Sequence, residues 1–355
     1  MKTCVAVGAV ILTVAIASVQ AQREQRPQGT QPGAAAKSSY VPPRTPWGDP
    51  DIQGGYSNVN ENGIPFEKPD TLGSKQVGQV DDSELAELVK DRNQRAEANA
   101  ATIGGRETGA GPVHWYEHYN AKNSRAWMVV DPPDGHIPAQ TPAARLRIGG
   151  AARGGVVPGG RGAGVQEGGR ADSWLDRSFY DRCITRGFPG SMMPAIYGNA
   201  YDITQAPGLV AIRYEMVHET RVIRLDNTPR TGQLSHMGEA RGHWEGNTLV
   251  VETTNFNVKD NERRRLDSGV LGTAVFGVSG NMTLVERFTR VDADRIDYRF
   301  TVTDPTTFTR PWTVATPMTR LDSLMFEYAC HEGNYSIVNS LSGARAQEKE
   351  AQTRR

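Results

Sequence analysis

The sequence predicts a mainly β fold: an antiparallel meander closing as a lipocalin-like barrel or folding into a sandwich. It carries one N-terminal helix and a long irregular N-terminal segment. Two observations predict this. From Ala171 onward, short runs alternate apolar and polar residues at the period of a strand. The links between these runs are too short for parallel crossovers, which need a dozen or more residues.

The elements follow in chain order. Met1-Lys2-Thr3 is a short basic start, an apolar run extends from about Val5 to Val19, and Val19-Gln20-Ala21 has the character of a peptidase site. Residues 1–21 therefore read as a cleaved secretory signal. The run falls short of the about 20 apolar residues a spanning helix needs. An uncleaved anchor is the alternative. Cys4 stands at the start of the apolar run, where it is not positioned for lipidation. The expected location is periplasmic or secreted, with no stable membrane insertion after cleavage.

Residues 22–45 form a polar, Pro- and Gln-rich lead-in without apolar period, expected to be disordered. Order is expected from Thr45-Pro46-Trp47-Gly48-Asp49-Pro50-Asp51-Ile52-Gln53-Gly54, and residues 46–148 are expected to wrap the β domain. Within them Leu85, Leu88 and Val89 share a helical face, with Asp82 or Ser83 as cap and Glu84 and Glu87 in the first turn. This helix is expected to reach about Ala101. Residues 149–170 hold ten glycines and read as a flexible insertion, because ordering them costs backbone entropy that few apolar residues offset.

The β-rich domain is expected over 171–345, followed by a disordered tail at 346–355. Val210, Ile212, Tyr214 and Met216 share a face, and Val222 to Leu225 follow a turn at His218-Glu219-Thr220. Arg241 to Trp244 and Thr248 to Thr253 flank Glu245-Gly246-Asn247, a hairpin signal. Thr283 to Thr289 and Ile296, Tyr298, Phe300 and Val302 come next, joined by Asp292-Ala293-Asp294. Trp312 to Ala315 and Met325 to Ala329 complete about eight strands.

Charge and composition narrow the function. Forty basic and forty acidic residues balance, which removes a global electrostatic case for nucleic acid or acidic membranes. No HExxH, CxxC, Gly-x-Ser-x-Gly, phosphate loop or dinucleotide fingerprint occurs in the chain after Ala21. No metal site and no cofactor are expected. Ser191 lacks an identifiable base. Cys183 and Cys330 remain after signal removal. In an oxidising compartment they either pair, with about 4–5 kcal/mol of loop-entropy stabilisation, or stay as two buried thiols.

Four of the seven histidines fall within polar clusters at strand ends. The candidate acid–base residues are His218, Glu219, His243, Glu252, His331 and Glu332. Arg221, His236, Arg241, Asn255 and Tyr335 are candidate ligand contacts, since His and Glu exchange protons and Arg holds anions. Glu239, Arg241 and His243 line up on one strand face, as either a polar barrel interior or a structural ion-pair ladder. Arg182, Arg186, Arg213, Arg221 and Arg241 can instead satisfy buried carboxylates and carbonyls.

The segment Gly242-His243-Trp244-Glu245-Gly246-Asn247-Thr248-Leu249-Val250-Val251-Glu252-Thr253-Thr254-Asn255-Phe256 resembles a widespread group of uncharacterised exported bacterial proteins with a Gly-Arg/His-Trp-Glu-Gly-Asp-Thr-Leu-Val-Val hairpin. Trp47 to Gly54 and Phe326 to Tyr335 are similar to the same group. Asn247 replaces its more usual Asp. The resemblance spans most of the chain and implies one exported β-rich unit; it implies no activity.

Three functions fit. The first is a binding protein for a small, partly apolar molecule in a barrel or sheet pocket. The second is a metal-independent hydrolase, lyase or isomerase using His/Glu acid–base chemistry. The third is a structural or interaction protein of the envelope. The oligomeric state is not encoded in any feature of the sequence.

Overall fold

The computed structural model describes residues 40–61, 64–90, 125–149, 172–177, 179–195, 197–257 and 279–354. The predicted signal segment, most of the lead-in and the glycine-rich insertion, and the helical expectation past residue 90 lie outside the described residues.

Among the described residues eleven strands form one sheet: β1 (Gly54–Ser57), β2 (Val129–Asp131), β3 (Ala200–Ala206), β4 (Leu209–Tyr214), β5 (Thr220–Arg224), β6 (Glu239–Glu245), β7 (Thr248–Thr254), β8 (Thr283–Arg290), β9 (Arg295–Thr303), β10 (Trp312–Ala315) and β11 (Met318–Arg320). Its order is β11-β1-β3-β4-β5-β6-β7-β8-β9-β10-β2, and β11 also pairs with β9. That extra pairing closes nine strands into a barrel, with β10 and β2 outside the ring.

Closure depends on a divided partner for β9. Trp312 to Ala315 pair with Val302 to Arg299, and after the Thr316-Pro317 break Met318 pairs with Ile296. Proline cannot donate to a ladder. Beyond that break β11 turns its other edge to β1, where Tyr56 opposes Arg320.

Alternation fixes which side chains enter the barrel. Leu284, Glu286 and Phe288 of β8 and Ile296, Tyr298, Phe300 and Val302 of β9 are all fully buried. With Tyr56, Tyr201, Tyr214, Phe188, Phe256 and Trp312 they fill the interior with rings. Phe288–Tyr298 and Phe308–Trp312 centroids lie 4.7 and 5.6 Å apart, in the range that rewards aromatic pairs. The lumen is thus a packed core among the described residues.

The β6–β7 hairpin forms as predicted. Glu245 opposes Thr248, and Gly246 takes φ 61° at the first position of a two-residue loop. A positive φ there matches the twist of the flanking strands, and glycine reaches it without a Cβ clash.

The helix α1 is helical over 82–90. Its cap is Asp81 and not Asp82 or Ser83. The Asp81 carboxylate accepts from the backbone N–H groups of Ser83 and Glu84 at 2.9 and 3.0 Å, and Glu84 accepts from Asp81 N at 3.2 Å. This is a reciprocal box. Leu85, Leu88 and Val89 pack on Ala126 and Trp127. A second helix, α2 (Pro142–Gly149), precedes the insertion.

Two expectations fail near the C-terminus. Met325 to Ala329 form no strand, and Leu324 and Phe326 are exposed. An 18-residue helix, α3 (Ser336–Thr353), occupies the end of the expected β domain and nearly all of the expected tail. No α3 residue is buried, and only Ile337, Leu341 and Ala344 in its first half make a short half-buried apolar stripe. Cys183 and Cys330 are paired, with Cα atoms 5.7 Å apart and a separation of 147 in sequence. Asn334 reinforces this tie by donating to Asp181 O at 2.9 Å.

Candidate functional site

The site forms where the antiparallel rule breaks. β5 and β6 run parallel and meet at one pair, Arg224 and Arg241. Upstream of it β5 separates from the segment leading into β6. A groove of about 420 Å³ opens between them, lined by Glu219 to Val222, Leu234 to Gly238, and Asn257. The far wall is fixed by Ser235: its N–H donates to Asn255 O at 3.1 Å, and its carbonyl accepts from Asn257 N at 2.7 Å.

A tight reversal positions the near wall. Val217 and His218 adopt φ of 60° and 40°, unusual for residues with a Cβ and for a β-branched one above all. The reversal sends Glu219 towards the groove and Arg221 into the barrel. The Arg221 guanidinium grips Glu286 with two parallel bonds, Nη1 to Oε2 at 2.7 Å and Nη2 to Oε1 at 3.0 Å. Tyr298 donates its hydroxyl to Glu286 Oε1 at 3.0 Å, and the Arg221 charge lies 4.3 Å from the Phe188 ring centroid. Burial works against the Arg221 charge. Glu286 more than restores it, leaving the guanidinium pKa raised. Around this pair the Arg221 Nε and the hydroxyls of Tyr214 and Thr253 are buried without a hydrogen-bond partner. Polar atoms in that condition mark where polarity was kept inside a core at a cost.

Glu219 differs from Glu286. Burial pushes its carboxyl pKa up, against a 2.7 Å hydrogen bond from the Thr185 hydroxyl and the more distant Arg221 charge. His236, on the opposite wall, packs its ring 4.5 Å from Phe179. Val222, Leu234 and Met237 supply apolar surface, and Asn257 keeps a buried Oδ1 without a partner. The groove therefore offers a carboxyl on one wall and an imidazole and an amide on the facing wall of an apolar slot.

Of the sequence candidates, Glu219, Arg221 and His236 come together here. The others are placed elsewhere. His218 is exposed on the reversal. His243 and Glu252 are exposed on the outer face: His243 Nε2 lies 3.2 Å from Glu245, and Glu252 pairs with Arg230 at 2.9 Å. Arg241 donates to Thr228 O, Pro229 O and Glu239, so the Glu239–Arg241–His243 row is an outer ladder and not a barrel interior. Asn255, at φ 59°, donates to Glu239 Oε2 at 2.9 Å. Glu239 also accepts from the Thr231 and Gly232 N–H groups, and these bonds hold its pKa down to about 2. His331, Glu332 and Tyr335 are exposed on the C-terminal arm.

Sequence reasoning missed Glu286, Tyr298, Thr185 and Asn257. Glu286 had a signal: a carboxylate at the inward position between Leu284 and Phe288. Thr185 had none, because it lies in an irregular segment. Among the described residues no group of three His, Cys, Asp or Glu could hold a metal ion, and no helix is long and apolar enough to cross a membrane. No protein family, no curated protein and no solved structure matches the chain.

Proposed function

We propose that the chain is an exported protein that binds a small, partly apolar molecule in the groove at the β5–β6 seam. One observation carries the reading. Glu219, His236 and Asn257 converge on a slot walled by Val222, Leu234 and Met237, while the barrel interior is filled. Ligand sites combine apolar walls with a few placed polar groups in this way. The N-terminal signal pattern and the Cys183–Cys330 bond support export.

The native mass of the exported protein, purified without chelators, tests this. A stoichiometric organic mass is expected in wild type and is lost in Leu234→Glu, a change at a half-exposed wall residue. Repeated bare masses for the wild-type protein would overturn it.

An acid–base enzyme is the second reading, favoured by the raised Glu219 carboxyl facing the same groove as His236. It transfers the catalytic role from the exposed His218, His243 and His331 to the groove. There Glu219→Gln removes turnover of a bound compound while leaving it bound.

A further inference from the structure

We propose that the occupant of the seam groove is a short extended peptide that adds as a strand to the open edge of β5 and sets a basic side chain against Glu219. The proposal rests on the groove being the binding site and names the class of its ligand.

The backbone geometry points to it. Tyr214 N donates to Glu219 O, and Leu225 N donates to Gly208 O, each at 2.9 Å. Between them Arg213 opposes Thr220, Ile212 opposes Arg221, Ala211 opposes Val222 and Val210 opposes Ile223. In an antiparallel ladder, residues turn their N–H and C=O alternately to one neighbour and the other. Glu219, Arg221, Ile223 and Leu225 therefore bond to β4. Thr220, Val222 and Arg224 face the seam. There β6 meets Arg224 alone. Among the described residues the N–H and C=O groups of Thr220 and Val222 are left on an open edge, and both residues line the groove. Their spacing, about 6.6 Å for two residues of strand, is the repeat of another peptide backbone.

Among the described residues the edge has one guard, the inward-pointing charge of Arg221. Exposed strand edges normally carry lysine, proline, a bulge or a cover. Residues 219–223 contain no lysine or proline, and Val222 and Leu234 are 54% and 47% exposed beside the slot. Charge selects the side chain. Arg221 is matched by Glu286 inside the barrel, whereas among the described residues the Glu219 side chain has no ion-pair partner and accepts from the Thr185 hydroxyl. The other titratable group of the groove, His236, packs on Phe179. A cation brought by the ligand meets a carboxylate that has no direct ion-pair partner among the described residues. Recognition by main-chain pairing with alternate side chains in pockets is an established mode for extended peptides.

The test uses the wild-type protein and three probes: acetyl-Val-Lys-Val amide, the same peptide with its central amide N-methylated, and acetyl-Val-Glu-Val amide. The first is expected to shift the Thr220 and Val222 amide resonances saturably. The N-methylated and Glu peptides are each expected to bind at least tenfold more weakly. In free protein the Thr220 and Val222 amides should exchange with solvent far faster than those of Arg221 and Ile223. Val222→Pro should lose binding while keeping its fold, since that N–H points away from β4. Equal binding of parent and N-methylated peptides, absence of shifts at Thr220 and Val222, or slow exchange at both amides overturns the proposal. A non-peptide adduct lost in Leu234→Glu would keep the groove as the binding site and remove the peptide. Bare native mass together with silent peptides would remove both.

Discussion

β8 and β9 are paired at eight successive positions, from Thr283–Thr303 to Arg290–Ile296, whereas β5 and β6 are paired at one. The first wall carries Leu284, Phe288, Tyr298 and Phe300 inward and is paired along its whole length. The second carries an arginine inward and a groove outward. The Arg221–Glu286 pair joins them across the barrel. The difference shows how a barrel whose lumen is full of rings can still present a site: it gives up ladder bonds along one seam and leaves the rest of the wall intact.

The largest expected effect breaks the link between the two walls. Glu286→Ala leaves the Arg221 charge buried and unpaired, and we expect a loss of about 3–5 kcal/mol in denaturant unfolding. The Arg221→Met, Glu286→Leu double variant should be much less damaging, because no buried charge is left over. If both lose equally, the pair's contribution is packing and not charge.

Cutting the Cys183–Cys330 bond touches neither wall. The double Cys→Ser variant should lose about 2–4 kcal/mol while groove binding is unchanged. Loss of binding would tie the seam to the C-terminal arm.

Gly242 probes the seam from the β6 side. A Cβ there would meet Ile223 Cγ2 and Leu225 Cδ2 at 2.8 Å. Gly242→Ala should cost about 1–3 kcal/mol through displaced β5 side chains. Val222→Ala, on the open edge, should change stability by under about 0.5 kcal/mol while weakening groove binding.

Two glutamates sharpen the contrast through pH. Glu219 has its folded pKa raised, so the folded state holds this proton more tightly than the unfolded chain does. Its contribution falls as pH rises from the ordinary glutamate value of 4.5 through the folded value. Glu219→Gln should therefore be the more stable protein at pH 7 and converge with wild type below that window. Glu239 has its folded pKa lowered to about 2, so its stabilisation is complete above 4.5 and is lost as pH falls towards 2. Glu239→Gln should be destabilised at pH 7. Unfolding curves at several pH values check both signs.

Much of the continuous wall is readable from sequence, because alternation there is uninterrupted. Ile296, Tyr298, Phe300 and Val302 declare one face unaided. The closing elements are not readable. β1 includes Gly54 and Gly55, which have no side chain to signal a face, β2 and β11 have three residues each, and Pro317 cuts the β10–β11 edge. β3 hides its alternation behind Gln205, buried because it accepts from Ile52 N at 2.8 Å and donates to Pro50 O. For the site, residue type pointed to Glu219, Arg221 and His236. Type alone could not separate them from Arg241, Asn255 and Glu252, whose partners come from the 226–235 connection. The parallel seam depends on where that connection returns, which no local pattern records.

The barrel is completed by its ends. Tyr56 and Arg320 face each other across the β1–β11 pairing and are 264 residues apart in sequence. A chain emerging from its N-terminus therefore carries an open sheet until nearly all of it has been delivered. A truncation just before Met318 would leave one side of β1 and the Ile296 end of β9 unpaired. Such a fragment carries two raw strand edges and a ring-filled core without its last wall, the makings of an aggregate. Completion of the barrel thus waits for Arg320, and a stop codon just before Met318 should be as damaging as a far earlier one.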